Sequence, residues 1–268
     1  MEGKLNSGSS IMRLAVLSDI HGNLVALEAA LADMASVGAI DLTWCLGDLA
    51  AFGPRPAECV QRVRALAEAD EGKSFKVIGG NTDRYLVTGE RMPVKPHPEN
   101  AEALKATVGS LQALNAGLLW GMEQLTFEDY EFLRKRLGHE LSKPVPGYGT
   151  VVGYHAVPGN DETMLLPDTS DEVARDLLLD AEGCLGIGGH IHRQYDRDLG
   201  RWRIVNVGSV GMSFDAPSFA QWGLFTFEAG QVTVELRRVP YDLDASVRDL
   251  YECGHPAPAW AESRFRQV

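Results

Sequence analysis

Cysteine is sparse in this chain: four residues in 268, none of them in a CxxC pair. Cys45, Cys59, Cys184 and Cys253 lie far apart, and Cys45 and Cys184 fall inside apolar runs, where a thiol behaves as a small buried hydrophobe. Neither a disulfide framework nor thiolate-bound zinc is expected. Basic residues are also under-represented, with 25 Lys and Arg against 37 Asp and Glu and a formal net charge of −12. Sequence-independent nucleic-acid binding draws on Lys and Arg to neutralise phosphates, so this balance argues against a nucleic-acid partner. No continuous apolar run approaches the roughly 18 residues of a membrane span and no secretory signal pattern is visible, so the expectation is a cytoplasmic protein without membrane insertion. Internal repeats are absent too, and nothing in the sequence indicates an oligomeric state.

What is present is an ordinary globular composition, 45% apolar and 23% charged, in a chain long enough to bury a full core. Residues 1–11, MEGKLNSGSSI, are polar and without periodicity and read as a flexible leader; a single domain is expected over 12–268. From Arg13 the pattern alternates. RLAVLSD reads as a buried strand, and NLVALEAALADMASVG as a helix capped by Asn23 and stopped by Gly38. TWCLGD, a helix from Pro56 to Ala69, and FKVIGGNTD continue the alternation, which argues for an α/β sheet with helical crossovers. The rhythm breaks at about 84–149, where a Pro-rich connector (MPVKPHP), a long helical pattern and a capping box of Thr126 and Asp129 form an expected helical cap. TVVGYHAVP, a helix over 170–182 and GCLGIGGHIH follow. The last third is strand-like, with a hairpin around Gly230, then one short helix and a Pro-containing tail.

GDLAAFGPRP, residues 47–56, places the carboxylate of Asp48 where a buried strand ends, and such a charge needs a cation, a donor or water. Four further motifs also follow expected strands: DIH (Asp19, His21), GNTD (Asn81), YH (His155) and GHIH (His190, His192). Beyond the carboxyl ends of strands in an open α/β sheet lies the usual ligand crevice. Two residues apart, Asp19 and His21, or His190 and His192, point the same way from an extended segment. Imidazoles with carboxylates and no thiolate suit Mn, Fe, Co, Ni or Zn better than Ca or Mg. Seven ligands exceed one tetrahedral ion and suit two ions sharing Asp48. Gly47, Gly80 and Gly189 allow the backbone a close approach. His97, His139 and His255 read as solvated surface residues.

The ordered set D-x-H, GD, GN, H, GHxH resembles the calcineurin-like metallophosphoesterase superfamily, and within it the small bacterial and archaeal phosphodiesterases, over Met12 to about Tyr241. The resemblance implies a four-layer sandwich of two mixed β-sheets flanked by helices. It implies a first divalent transition ion on Asp19, His21, Asp48 and His192 and a second on Asp48, Asn81, His155 and His190, with Asp48, Asn81 and His155 at the catalytic centre. The implied reaction is hydrolysis of a small-molecule phosphate ester, most readily a phosphodiester, by hydroxide held between the two ions. A phosphomonoesterase, or a non-catalytic interaction scaffold on the same fold, is the alternative.

Many relatives carry a His after the metal-binding Asn; here that residue is Thr82, whose hydroxyl is no competent acid near neutral pH. Arg55, Arg84 and Arg193 lie close in sequence to the ligand motifs and are the candidate substrate-binding cations, with surface ion pairs as the bland reading. Trp120, Phe127 and Tyr130 read as helix packing, or as walls for a base or aryl group.

Overall fold

The computed structural model describes residues 11–92 and 96–267. Residues 1–10 of the expected leader and 93–95 of the Pro-rich connector lie outside the described residues. Strand β1 (Met12–Leu17) leads to α1 (Leu24–Ser36), where the Asn23 side chain accepts the Ala26 N–H at 3.1 Å and so satisfies one of the free donors of the first turn. β2 (Leu42–Cys45), α2 (Pro56–Glu68) and β3 (Phe75–Val77) repeat the unit, with a proline opening α2 where no N–H is needed. Three helices follow: α3 (Asn81–Thr88), α4 (Ala101–Gln124) and α5 (Phe127–Arg134), the last started by the reciprocal Thr126–Asp129 capping box. Then come β4 (Leu141–Val145), β5 (Gly149–Gly153), α6 (Asp171–Asp176), β6 (Leu185–Gly188), β7 (Gln194–Asp198) and β8 (Arg203–Val207). The hairpin of β9 (Phe219–Glu228) and β10 (Gln231–Pro240) turns through Ala229 and Gly230, both left-handed, and precedes α7 (Leu243–Glu252) and α8 (Pro258–Arg266).

The strands form two five-stranded sheets, ordered β10-β9-β1-β2-β3 and β4-β5-β6-β8-β7. Each is mixed. β1, β2 and β3 run parallel and β9 and β10 antiparallel in the first; β5, β6 and β8 run parallel between antiparallel edges in the second. Because side chains alternate along a strand, Leu14, Val16 and Trp44 of the first sheet and Leu185, Ile187 and Val205 of the second fill the space between the sheets. Ala15, Leu17 and Cys45 face the helices on one side, and Val152 and Ile204 pack with Ala174 and Leu178 on the other. The order of layers is helix, sheet, sheet, helix, the architecture the resemblance implied.

Four local expectations change, and one strand was not expected. GNTD does not simply end a strand: Asn81 opens α3, where the Asp83 carboxylate accepts the Gly80 N–H at 3.1 Å. Residues 84–149 contain a strand, β4, besides α4 and α5, which pack on α2 and α3. The polar stretch QYDRD forms β7, an edge strand whose charges hide its pattern and guard the open edge. The final segment holds two helices, separated by left-handed Gly254, and α6 is shorter than its apolar pattern.

Candidate metal centre and cleft

All five motifs emerge from carboxyl ends of parallel strands. The loops after β1 and β2 continue the ladder of their strands, with Asp19 N–H donating to Gly47 O at 3.0 Å and His21 N–H to Asp48 O at 2.9 Å. Asp83 ties the loops after β2 and β3 together by accepting the N–H groups of Asp48 at 2.8 Å and Leu49 at 2.9 Å. From the second sheet, the His190 N–H reaches Asp19 Oδ2 at 2.8 Å. The two sheets are thereby joined at the cluster itself.

The side chains of the cluster converge, but by a different route from strand alternation. Asp19, His21, Asp48, His190 and His192 all have positive φ, between 51° and 68°. They are five of the nine such non-glycine residues among those described, so tight left-handed turns, not extended segments, aim them. Each such residue costs on the order of 1–3 kcal/mol and persists only where the surroundings over-determine it. The glycines permit this crowding. A Cβ on Gly80 would stand 2.2 Å from Asp48 Oδ1, and one on Gly189 2.4 Å from Asp19 Oδ2.

Three imidazoles are oriented by carbonyls: His21 Nδ1 lies 3.3 Å from Ala51 O, His155 Nδ1 2.8 Å from Leu46 O, and His192 Nδ1 2.7 Å from Met212 O. A carbonyl only accepts, so each Nδ1 carries the proton and each Nε2 keeps its lone pair for the centre. There, His21 Nε2 and His192 Nε2 are 3.0 Å apart, and His192 Nε2 is 3.1 Å from Asp19 Oδ1. Asp48 Oδ2 stands 3.7 Å from His21 Nε2 and 3.5 Å from His155 Nε2, between the two groups of candidate ligands. His155 Nε2 is 3.0 Å from Asn81 Oδ1. Lone pairs and carboxylates brought this close repel unless a cation lies among them, so the donor set fits divalent ions. His190 stands slightly apart: its ring centroid is 5.1 Å from that of His155, and its Nε2–H donates to Glu162 O at 3.1 Å, which leaves Nδ1 as the free nitrogen.

The electrostatics follow the same geometry. Burial alone pushes the Asp19 carboxyl up, but the adjacent His192, with His21 and His155, outweighs it and holds the group well below the usual carboxylate range. Burial pushes His155 down, yet Asp48 and Asp19 together raise it above the ordinary imidazole value. His190 is pushed down to about 4 by burial, reinforced by the neighbouring His155 charge. Asp83 is raised to about 7 by burial and by Asp48, against the N–H groups that donate to it.

Above the cluster opens a cleft of about 660 Å³, with Asp48, Asn81, Thr82 and His190 on its floor. The three candidate arginines do not line it. Arg55 is held by Asp249 at 2.9 and 3.1 Å, Arg84 by Asp161 at 2.8 and 2.9 Å together with Glu162, and Arg193 is exposed on the surface. The cleft-lining guanidinium is instead Arg264 of α8, in a segment that the sequence pattern left as a tail. Trp120, Phe127 and Tyr130 lie outside the cleft lining, and Trp120 packs edge-on against His255 with centroids 5.0 Å apart. His255, expected at the surface, is buried there, whereas His97 and His139 are exposed.

Sequence reasoning also missed the support supplied by NVGSVG after β8. Asn206 Nδ2 donates to Gly189 O at 2.6 Å, Ser209 Oγ to Asp19 O at 2.7 Å, and the Gly211 N–H to Asp19 O at 3.0 Å. Its signal was present, a polar Asn inside an apolar strand followed by two glycines, but it carries no ligand atoms.

Comparison with known proteins gives the same answer from outside. A family model described as the calcineurin-like phosphoesterase superfamily domain matches residues 12–230. A metallophosphoesterase from Sphaerobacter thermophilus superposes with a TM-score of 0.68 and 25% identity, over 95% of this chain and 99% of that one. A hypothetical protein from Pyrococcus horikoshii shares the fold with a TM-score of 0.73 and 23% identity, over 94% and 97% of the respective chains. An uncharacterized protein of Methanocaldococcus jannaschii is 28% identical over 271 residues, covering 94% of this chain and 96% of that protein. A symmetrical bis(5'-nucleosyl)-tetraphosphatase of Pectobacterium atrosepticum is 36% identical over 76 residues, 28% of this chain and 25% of that enzyme. With its strand-end cluster of Asp and His, its paired mixed sheets and a family match over most of its length, this chain belongs to the calcineurin-like phosphoesterase superfamily.

Proposed function

We propose that the protein hydrolyses small-molecule phosphodiesters with the aid of two divalent transition-metal ions. Asp19, His21, Asp48 and His192 would hold one ion, and Asp48, Asn81, His155 and His190 the other. When bound, the pair would supply an activated water and neutralise charge on the phosphoryl oxygens. The observation that carries this reading is Asp48 Oδ2, within 3.7 Å of His21 Nε2 and 3.5 Å of His155 Nε2, one imidazole from each group.

The preference for good leaving groups rests on Thr82. Its N–H donates to Asp48 Oδ1 at 2.9 Å, so the residue sits against the reacting centre, yet its side chain offers no acid for a departing alkoxide. Esters whose leaving group needs little protonation are therefore favoured. The partial similarity to an enzyme named for cleaving a bis-nucleosyl tetraphosphate supports the same direction.

The test uses purified protein, assayed by elemental analysis and then stripped with a chelator. Hydrolysis of bis(p-nitrophenyl) phosphate should vanish on stripping and return with Mn²⁺ better than with Ca²⁺. p-Nitrophenyl phosphate, which has the same leaving group, should be cleaved more slowly. Full activity in metal-free protein would overturn the two-ion reading, and a faster monoester would overturn the diester preference.

A further inference from the structure

The cleft is far larger than a phosphoryl group and falls within the size range of small-molecule sites, and its lining is mostly apolar. We infer that aromatic faces from Phe52, Phe214 and Trp260, rimmed by Arg264, form a subsite for a planar aromatic group on the ester. The substrate class is then an aryl- or nucleobase-bearing phosphate ester. This inference rests on the proposed function and adds which group the ester must carry.

Aromatic faces run outward from the ligand cluster. Phe52 stacks on the His21 ring with centroids 5.5 Å apart and an interplanar angle of 24°. Trp260 meets Phe52 edge-on at 5.7 Å, and the Arg264 guanidinium lies 5.3 Å from the Trp260 ring centroid. On the other side, Phe214 lies against His192 at 4.5 Å. Faces arranged in this way hold a flat π-system between rings and cation better than a flexible chain.

Two placements look built. Phe52 has φ of +80°, a conformation a bulky side chain adopts only under constraint. The constraint is its neighbour Gly53, where a Cβ would lie 2.0 Å from His21 O, so the turn is pressed onto the ligand loop. Trp260 is fixed by its Nε1–H, which donates to Ser110 Oγ of α4 at 3.2 Å and ties α8 to α4. Among the described residues no carboxylate pairs with Arg264, whereas Arg55 and Arg84 are each held by two or more. Helix α8 lies beyond residues 12–230, where the family match ends.

The test is a binding comparison on Mn²⁺-loaded protein by isothermal titration calorimetry, with methylphosphonate, cyclohexylphosphonate and phenylphosphonate, none of which can be hydrolysed as an ester. Phenylphosphonate should bind roughly tenfold more tightly than methylphosphonate and more tightly than cyclohexylphosphonate, the gain expected of ring stacking. Trp260→Leu, and separately Phe214→Leu, should remove most of that preference and leave methylphosphonate affinity and metal content as they were. Because the preference is read first in the parent protein, a variant that fails to fold does not decide the matter. Equal binding of phenyl and methyl ligands, or a cyclohexyl ligand as tight as phenyl, would overturn the aromatic subsite while the proposed reaction stood. Loss of all phosphonate binding in protein that retains its metal would overturn the phosphate-ester reading and the subsite with it.

Discussion

The floor of the cleft takes seven candidate ligands from five strand ends, five of them in left-handed backbone and most with side chains fixed by a carbonyl or an N–H. The wall opposite comes from α4 and α8, regular helices whose lining residues need no special backbone and few hydrogen bonds. The floor spends local stability on orientation, whereas the wall is made of the same apolar and aromatic side chains that fill a core. On the proposed function, such a division would assign the reaction to the floor and the choice of substrate to the wall. Changes to the floor should therefore move kcat and metal content, and changes to the wall should move KM.

The sharpest separation should come from Asp48→Ala. Removing the carboxylate between the two groups of ligands is expected to lower kcat by about 10³-fold, the upper end of what a single preorganised electrostatic group contributes. Elemental analysis should show fewer ions bound, whereas Arg193→Ala, on the exposed surface, should leave both readings near the parent's. Asn206→Ala comes next. It removes the donor to Gly189 O and is expected to weaken metal affinity by roughly 10–100-fold, as losses of outer hydrogen bonds do. A metal titration checks it, and an unchanged affinity would mean that the loop after β6 holds its shape without that bond.

At the wall, Arg264→Gln should raise KM for an aryl diester several-fold, with kcat and metal content constant. A change in kcat alone would place Arg264 on the floor's side of the division.

The smallest effect is on stability. His255 packs behind the wall against Trp120, and burial pushes it down to about 4 from an ordinary 6.5. Above about pH 6.5 the ring is neutral in both folded and unfolded chains and costs nothing. As pH falls from about 6.5 towards 4, the unfolded chain takes up a proton that the folded protein refuses, so stability declines, and the decline levels off below about 4. Denaturant midpoints for the parent and His255→Gln should therefore converge as the pH is lowered through this window. Parallel curves would show that the ring is not the source.

The floor was legible because its chemistry requires particular donor atoms at particular places. Asp19, His21, Asp48, Asn81, His155, His190 and His192 each follow a strand-like run, several beside glycine, and no other arrangement of apolar sequence explains seven such groups. Their backbone was not legible, since an extended DxH or HxH and a left-handed one read alike. The wall was hidden for a different reason. Trp260 and Arg264 sit in PAPAWAESRFR, which lacks a clear apolar stripe, and a helix's cleft face looks like its packed face until neighbours are placed. Arg55, Arg84 and Arg193, chosen by nearness in sequence, lie outside the cleft lining because carboxylates on α7 and in the loop after β5 hold two of them and the third is exposed.

The position of β1 has a consequence for folding time. It lies in the middle of its sheet, paired with β2 nearby in sequence and with β9 far away, in a register that sets Leu14 against Phe225. Closing so long a loop is slow compared with local pairing. During synthesis at roughly 5–20 residues per second, one edge of β1 waits on the order of ten seconds or more for its partner. For most of that interval Asp19, His21 and Asp48 sit on an unfinished sheet without His192, and the bare edge is open to other strands. The late arrival of β9 seals that edge, while β6 and β8 bring the second sheet's share of the cluster. On the proposed function, capacity to hold metal should therefore appear when the second sheet docks its loop after β6 on the first, making ion uptake a marker for that step.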